Sequence, residues 1–413
     1  MNIKTIRYKF KKKNTIGRQE IQSSIKVLKT GDLSGFMASR NQGFLGGPQV
    51  RKFEKKLEKF YNVKYAISVN SWTSGLITII GSLDVEPGDE IIVTPWTMCA
   101  TVTAILHWNC IPIFADINYE DYCIDPEIIK KKITNRTKAI IAVDIFGFPA
   151  QIDKIRKVIK KRDIKIISDN AQAPYAFYKN KISGTNSDIG GFSFNYHKHI
   201  NTGEGGAIIT NSKRLAQRSR LIRNHGEAAV LNNKKLLNNI LGYNFRLGEI
   251  EAAIGIEQYK KLKKIVSKRQ KLCRKLTQGL SKLEGLDLPK ESPQRTHNYY
   301  VYPITLSEKI LKRYSRSTII KHLEKDGVQG LISGYEIVHK FPMIEHKIAY
   351  GTKGFPWNIN KKNSKKGKII CKNAERLHER SFIGIEVCLY ELSDKDIKLI
   401  IKSFYKIWKK LKL

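Results

Sequence analysis

Lys198 stands between His197 and His199 in FSFNYHKHINTGEGGAIIT, residues 192–210. A lysine amine becomes a nucleophile when nearby cations or poor solvation lower its pKa. The two histidines and the apolar run before them are candidates for that effect. Upstream, IISDNAQAP (166–174) ends an apolar run on Asp169, with Gln172 following one turn on. A carboxylate there is poorly solvated unless a cation meets it, although a helix N-cap is the plainer role. Further upstream, SVNSWTSGL (68–76) follows another apolar run and opens a helix. Ser71 or Thr73 would cap that helix, Gly75 permits close approach, and the free N–H groups would face an anion. A phosphate cradle, then a strand-end acid, then a loop lysine form the set that pyridoxal 5'-phosphate (PLP) requires. Its phosphate would dock on the helix N-terminus, Asp169 would hold its ring nitrogen protonated, and Lys198 would carry it as a Schiff base.

Such residues need a sheet to place them. Short β-branched runs recur at YAISV (65–69), EIIVTP (90–95), IPIFADI (111–117), AIIAVDIFG (139–147), IKIISD (164–169), IGGFSF (189–194) and GAIIT (206–210). Helical segments such as TSGLITIIGSL and DKIRKVIKKR alternate with them, which predicts an α/β domain with a largely parallel sheet. Ligands of such sheets gather beyond the carboxyl ends of the strands. Residues 17–62 read as helices broken by a glycine-rich stretch, and the chain turns helical again from about 250. A second α/β region is expected from HNYYVYPITL (297–306), and FPWNINKKNSKKGKII (355–370) reads as a polar, basic loop. The expected division is an N-terminal segment with the large domain over 1–260, and a small domain over 261–413. In the last helix, Ile397, Ile400, Ile401, Phe404 and Trp408 share one face, expected to pack on the small domain.

The chain has 413 residues, ample for two packed cores. Its 75 Lys+Arg against 37 Asp+Glu give a formal charge of +38. Nucleic-acid binding would use such a charge. The cations are spread from end to end on solvated helix faces, so attraction of an anionic small substrate is the favoured reading. The six cysteines show no CxxC pair and no metal-ligand spacing, as expected in a reducing compartment. No apolar run is long enough to span a bilayer, and the expectation is a cytoplasmic protein.

Several blocks in one order resemble the sugar aminotransferases of the DegT/DnrJ/EryC1/StrS family. They include LKTGDLSGF, VRKFEKKLEKFYNVKYAISVNS, VEPGDEIIVTPWTMCAT, PIFADINYEDYCIDPEII, ISDNAQAP, FSFNYHKHINTGEGGAIIT, IRNHG and GYNFRLGEIEAAIG. The resemblance implies the type I fold of PLP-dependent transferases, with a mixed, mostly parallel sheet between helices and a smaller C-terminal α/β domain. It implies Lys198 as the Schiff-base lysine, Asp169 against the pyridine nitrogen and Gln172 facing the ring's phenolic oxygen. Thr73, Ser74 and Ser193 fall on phosphate-binding positions. Asn244 and Arg246 match a segment that in the family reaches the neighbouring subunit's phosphate region, which implies a homodimer with shared active sites. The aromatic residue that usually stacks on the ring is replaced by Met98, with Trp96 two residues earlier as the alternative. The implied reaction moves an amino group from glutamate or glutamine to a keto sugar, nucleotide-linked in the favoured reading. A keto-cyclitol or free ketose is the rival acceptor, and a non-catalytic PLP- or nucleic-acid-binding regulator the rival class. One branch of the family dehydrates, with histidine in place of the lysine. Lysine at 198 disfavours that branch here.

Overall fold

Runs of Ile, Val and Ala between polar turns become strands because β-branched side chains pack well on a pleated, buried surface. The structure, a computed structural model, describes residues 8–38, 42–160, 162–227, 240–359 and 368–413. Helices α1 (Arg18–Thr30) and α2 (Pro48–Tyr61) come first. Then strands and helices alternate: β1 (Tyr65–Val69), α3 (Trp72–Gly81), β2 (Glu90–Val93), α4 (Cys99–His107), β3 (Ile111–Phe114), α5 (Pro126–Lys132), β4 (Thr137–Val143), α6 (Ile152–Ile159) and β5 (Lys165–Asp169). A small hairpin of β6 (Phe177–Tyr178) and β7 (Lys181–Ile182) leads to β8 (Ile189–Ser193), β9 (Gly206–Thr210), α7 (Lys213–Arg223) and α8 (Glu249–Leu280).

The large sheet has seven strands in the order β1-β9-β8-β5-β4-β2-β3. Strands β3, β2, β4, β5 and β8 pair in parallel, and β9 alone runs antiparallel to its neighbours β8 and β1. The interior strands are almost wholly buried, which is why they read as unbroken apolar runs rather than alternating ones. Strands β1 and β9 keep their expected bounds. β2 stops at Val93, two residues before Pro95, which has no N–H to give to a ladder.

The second sheet is antiparallel, in the order β10-β11-β13-β12, with β10 (Leu286–Asp287), β11 (Tyr302–Leu306), β12 (Leu331–Ile332) and β13 (Phe382–Ile385). The second α/β region therefore starts one short strand before residue 297. Helices α9 (Glu308–Leu311), α10 (Arg316–Lys325), α11 (Pro342–Glu345), α12 (Lys372–Arg376) and α13 (Asp394–Leu411) complete it. Part of the expected basic loop, residues 360–367, lies outside the described residues.

The division expected at 260/261 falls inside α8, one continuous helix of 32 residues. Its Ile256, Tyr259, Leu262 and Val266 pack with α2 and β9, while Leu272, Cys273, Leu276 and Leu280 belong to the small-domain core. The N-terminal chain also crosses over. Phe10 is buried in the small-domain core, edge-on to Tyr390 with ring centroids 5.5 Å apart. Apolar burial thus decides membership in a way that chain order did not. The last helix packs as expected, with Ile397, Ile400, Phe404 and Trp408 buried in the small-domain core. Among the described residues no helix is long and apolar enough to cross a membrane, and all six cysteines are free thiols.

Candidate active site

The carboxyl end of β5 delivers Asp169, 4% exposed, to the edge of the sheet. Both its oxygens take hydrogen bonds. Trp72 Nε1 donates to Oδ1 at 2.7 Å and Thr101 Oγ1 to Oδ2 at 2.9 Å. Burial pushes the Asp169 pKa up, and these two donors pull it back towards the charged form. The Trp72 indole packs closely over Gly191. A Cβ at Gly191 would come within 2.4 Å of that ring and 2.0 Å of Ala207 O. Sequence reasoning passed over Trp72 and Thr101, although each sits in a stretch it had quoted.

Lys198 follows β8 in the turn that reverses into β9, and it too is buried. Its Nζ lies 4.5 Å from the centroid of the Tyr300 ring and 3.5 Å from the Tyr300 hydroxyl. Burial brings the amine pKa down to about 8, Asp169 opposes the fall, and Lys13 assists it. The flanking histidines are not the cations expected. Burial holds His197 down at about 4 and drives His199 well below the usual imidazole range, so both are neutral at pH 7. The cation that acts is Lys13, whose Nζ donates to the backbone oxygen of Lys198.

Gln172 is buried beside them. Its Oε1 accepts from Phe146 N at 2.6 Å, and its Nε2 donates to the Tyr335 hydroxyl at 3.2 Å. The Tyr300 and Tyr335 hydroxyls interact in turn. Two small-domain tyrosines therefore link Gln172 to Lys198. No periodicity announces them, since they lie more than a hundred residues downstream. The only signal was their place in HNYYVYPITL and GLISGYEIVHKFP.

Ser71, not Thr73, caps α3, its Oγ accepting from Ser74 N at 3.1 Å. Thr73 is exposed on the first turn, Ser74 Oγ sits 2.9 Å from Ser71 Oγ, and Ser193 is half-buried at the end of β8. The first turn of α3 and the end of β8 thus present hydroxyls and free N–H groups, a fitting seat for a phosphate. Asn244 and Arg246 bond each other, Nε to Oδ1 at 2.8 Å. Their segment lies against the residue before that cap, with Asn70 N donating to Phe245 O at 2.9 Å.

Trp96 departs from the role offered to it. It is fully buried, donates Nε1 to Tyr335 O at 2.6 Å, and is wedged between Tyr122, Phe146 and Phe382. Its ring is committed to the core. Met98, 52% exposed at the N-terminus of α4, is free to cover a ligand. A buried amine and a buried carboxylate in electrostatic contact, next to a helix N-terminus, fit a cofactor that has an aldehyde, a basic ring nitrogen and a phosphate. Among the described residues no cluster of side chains has metal-binding geometry.

Comparison with known proteins identifies a family. A family model described as the DegT/DnrJ/EryC1/StrS aminotransferase family matches residues 35–360. The GDP-perosamine synthase of Escherichia coli O157:H7 is 34% identical over 73% of this chain and 80% of its own length. Helicobacter pylori PseC, an aminotransferase involved in the biosynthesis of pseudoaminic acid, superposes with a TM-score of 0.80 at 25% identity, covering 98% of this chain and all of that one. The fold is shared as well with an E. coli GDP-4-keto-6-deoxy-D-mannose-3-dehydratase solved with bound hydrated PLP. That match has a TM-score of 0.78 at 24% identity, over 96% of this chain and 99% of that one.

Proposed function

The chain belongs to the DegT/DnrJ/EryC1/StrS aminotransferase family, and from that premise we propose that it holds PLP on Lys198 and moves an amino group from glutamate or glutamine to a nucleotide-linked keto sugar, in amino-sugar biosynthesis. The observation that carries this reading is the buried Lys198 amine, brought down to about 8 and coupled to the buried Asp169 carboxylate. The bound cofactor supplies an electron sink and a carbon on which the amino group is parked between two half-reactions.

The chain's own groups do the rest. Asp169, whose charged form Trp72 and Thr101 favour against burial, would hold the proton on the ring nitrogen. The Lys198 amine would hold the cofactor and, when free, would be the general base that moves the donor's α-proton. Gln172 would face the phenolic oxygen, and Thr73, Ser74 and Ser193 would take the phosphate. Met98, which is exposed, would cover the ring, a role the buried Trp96 is not placed to take. Asn244 and Arg246 serve the phosphate region of a partner subunit, which makes the working form a homodimer with shared sites. The free thiols suit a cytoplasmic setting.

The amine environment can be tested without turnover. Below a pH of about 8 the buried Lys198 is mainly protonated and cannot attack an aldehyde; above it the amine is free. The rate at which apoprotein takes up PLP should therefore rise with pH through a midpoint near that value. A midpoint near the ordinary lysine value would contradict the burial described here. The acceptor is tested by mass spectrometry of nucleotide-linked keto sugars, free ketoses and keto-cyclitols, each with glutamate and with glutamine. Amination of a nucleotide-linked keto sugar is the expected result. Amination confined to a keto-cyclitol or free ketose would move the reading to that acceptor. No amination, with a salt-dependent shift of DNA and no cofactor signal, would replace the enzyme by a regulator.

A further inference from the structure

The N-terminal chain returns to the small domain. Lys12 bridges to Tyr390, and Lys13 N donates to Leu389 O at 2.9 Å. Between this return, the middle of α8 and the turn at 387–392 lies a cleft of about 620 Å³. Part of its wall is apolar, from Ile16, Ile265, Leu272, Val387 and Leu392. Its charge is one-sided, with Glu391 the single acid facing Lys13, Lys261, Lys264, Lys268 and Arg269. That acid is already engaged by Lys11 at 2.6 Å and Lys268 at 3.8 Å, and Lys261 is paired with Glu20 at 2.6 Å.

Among the described residues, no carboxylate is paired with either of two cations of the cleft wall, Arg269 and Lys13. Arg269 is only 8% exposed, and its Nη1 is fully covered with no hydrogen-bond partner. Lys13 lies close enough to feel it, since burial lowers the Lys13 pKa and Arg269 lowers it further. A lysine can shed its proton to escape such a place, but a guanidinium cannot. A buried guanidinium N–H left without an acceptor, as at Arg269 Nη1, is costly unless one is supplied. The opening of the cleft gives an anion a way in.

We propose that this cleft binds an organic phosphate of nucleotide size, with its phosphate on Arg269 and Lys13 and its apolar body against Ile265, Leu272 and Val387. The planar guanidinium fork suits phosphate oxygens, and a second cation beside it, with Lys264 and Lys268 at the mouth, calls for more than one negative charge. The site is separate from the candidate active site, because none of Lys198, Asp169 and Tyr300 lines it. It is nevertheless linked to that site. Lys13 holds the backbone oxygen of Lys198, so a ligand that draws Lys13 towards the cleft alters the turn that presents the lysine.

Calorimetric titration of the cofactor-loaded full chain with adenosine 5'-monophosphate, and separately with inorganic phosphate, tests this. Both should bind saturably, the nucleotide more tightly. Arg269→Met should weaken nucleotide binding about tenfold or more, and the charge reversal Lys264→Glu at the exposed mouth should weaken it several-fold on the scale of exposed charge pairs. Lys198→Ala, which loses the lysine-bound cofactor, should bind the nucleotide as tightly as the cofactor-free natural chain does. Without ligand, Arg269→Met should melt no lower than the natural protein, because it removes a buried donor that has no acceptor. Nucleotide should raise the Tm of the natural protein and not that of the variant. Nucleotide affinity unchanged by both cleft substitutions, or abolished by Lys198→Ala alone, would overturn the proposal. So would a ligand-free Arg269→Met that melts lower and still binds the nucleotide normally.

Discussion

Lys198→Ala is expected to abolish turnover, lowering kcat by about 10⁴-fold or more, since one substitution removes both the cofactor's attachment and the general base. The variant should also lose the visible absorption that belongs to the lysine-bound cofactor. It should fold well. The amine is buried, its hydrogen bond to the Tyr300 hydroxyl is long, and burial outweighs the pull of Asp169, so its loss relieves a desolvation cost. An inactive variant with an unchanged Tm would therefore report chemistry and not misfolding. Normal rates with a normal spectrum would remove Lys198 from the mechanism.

Asp169→Ala is expected to slow proton abstraction by about 10²–10³-fold, or ~3–4 kcal/mol, the range found when one preorganised electrostatic group is deleted. This variant carries a second penalty. It leaves Trp72 Nε1 and Thr101 Oγ1 without an acceptor in a buried site, at about 1–3 kcal/mol for each group left unpaired. Asp169→Asn separates the two effects. Its amide oxygen still accepts a hydrogen bond and its size is unchanged, but its negative charge is gone. A large loss of kcat with only a small loss of stability in Asp169→Asn would assign the effect to charge. An intact rate in both variants would take Asp169 out of the reaction.

Much of this arrangement was readable from the chain alone, for a physical reason. Interior strands of a parallel sheet are buried on both faces, so IIV, AIIAV and IIS had to be written in apolar residues. The loops that follow them carry the polar residues that do not fit the run, and so Asp169 and Lys198 stood out. Other features had no local signal. That β9 alone runs antiparallel depends on which strand its five residues pair with, and nothing within those residues records it. Tyr300 and Tyr335 reach Lys198 and Gln172 only because the small domain folds back over the sheet. The indole of Trp72 looked like one more apolar residue of a helix start, and its partnership with Asp169 spans 97 positions of sequence. Histidines beside the lysine suggested a positive environment. Burial makes them neutral, and the nearby cation comes instead from residue 13.

The long helix α8 has a consequence for how the molecule comes apart. It is one uninterrupted rod whose first half is walled in by α1 and α2 and whose second half is covered by α13. Loosening either body strips the rod of half its cover, and a half-covered helix of this charge has little reason to persist. Heat or denaturant that loosens one half should therefore weaken the other through the shared rod, and the two melting transitions should overlap.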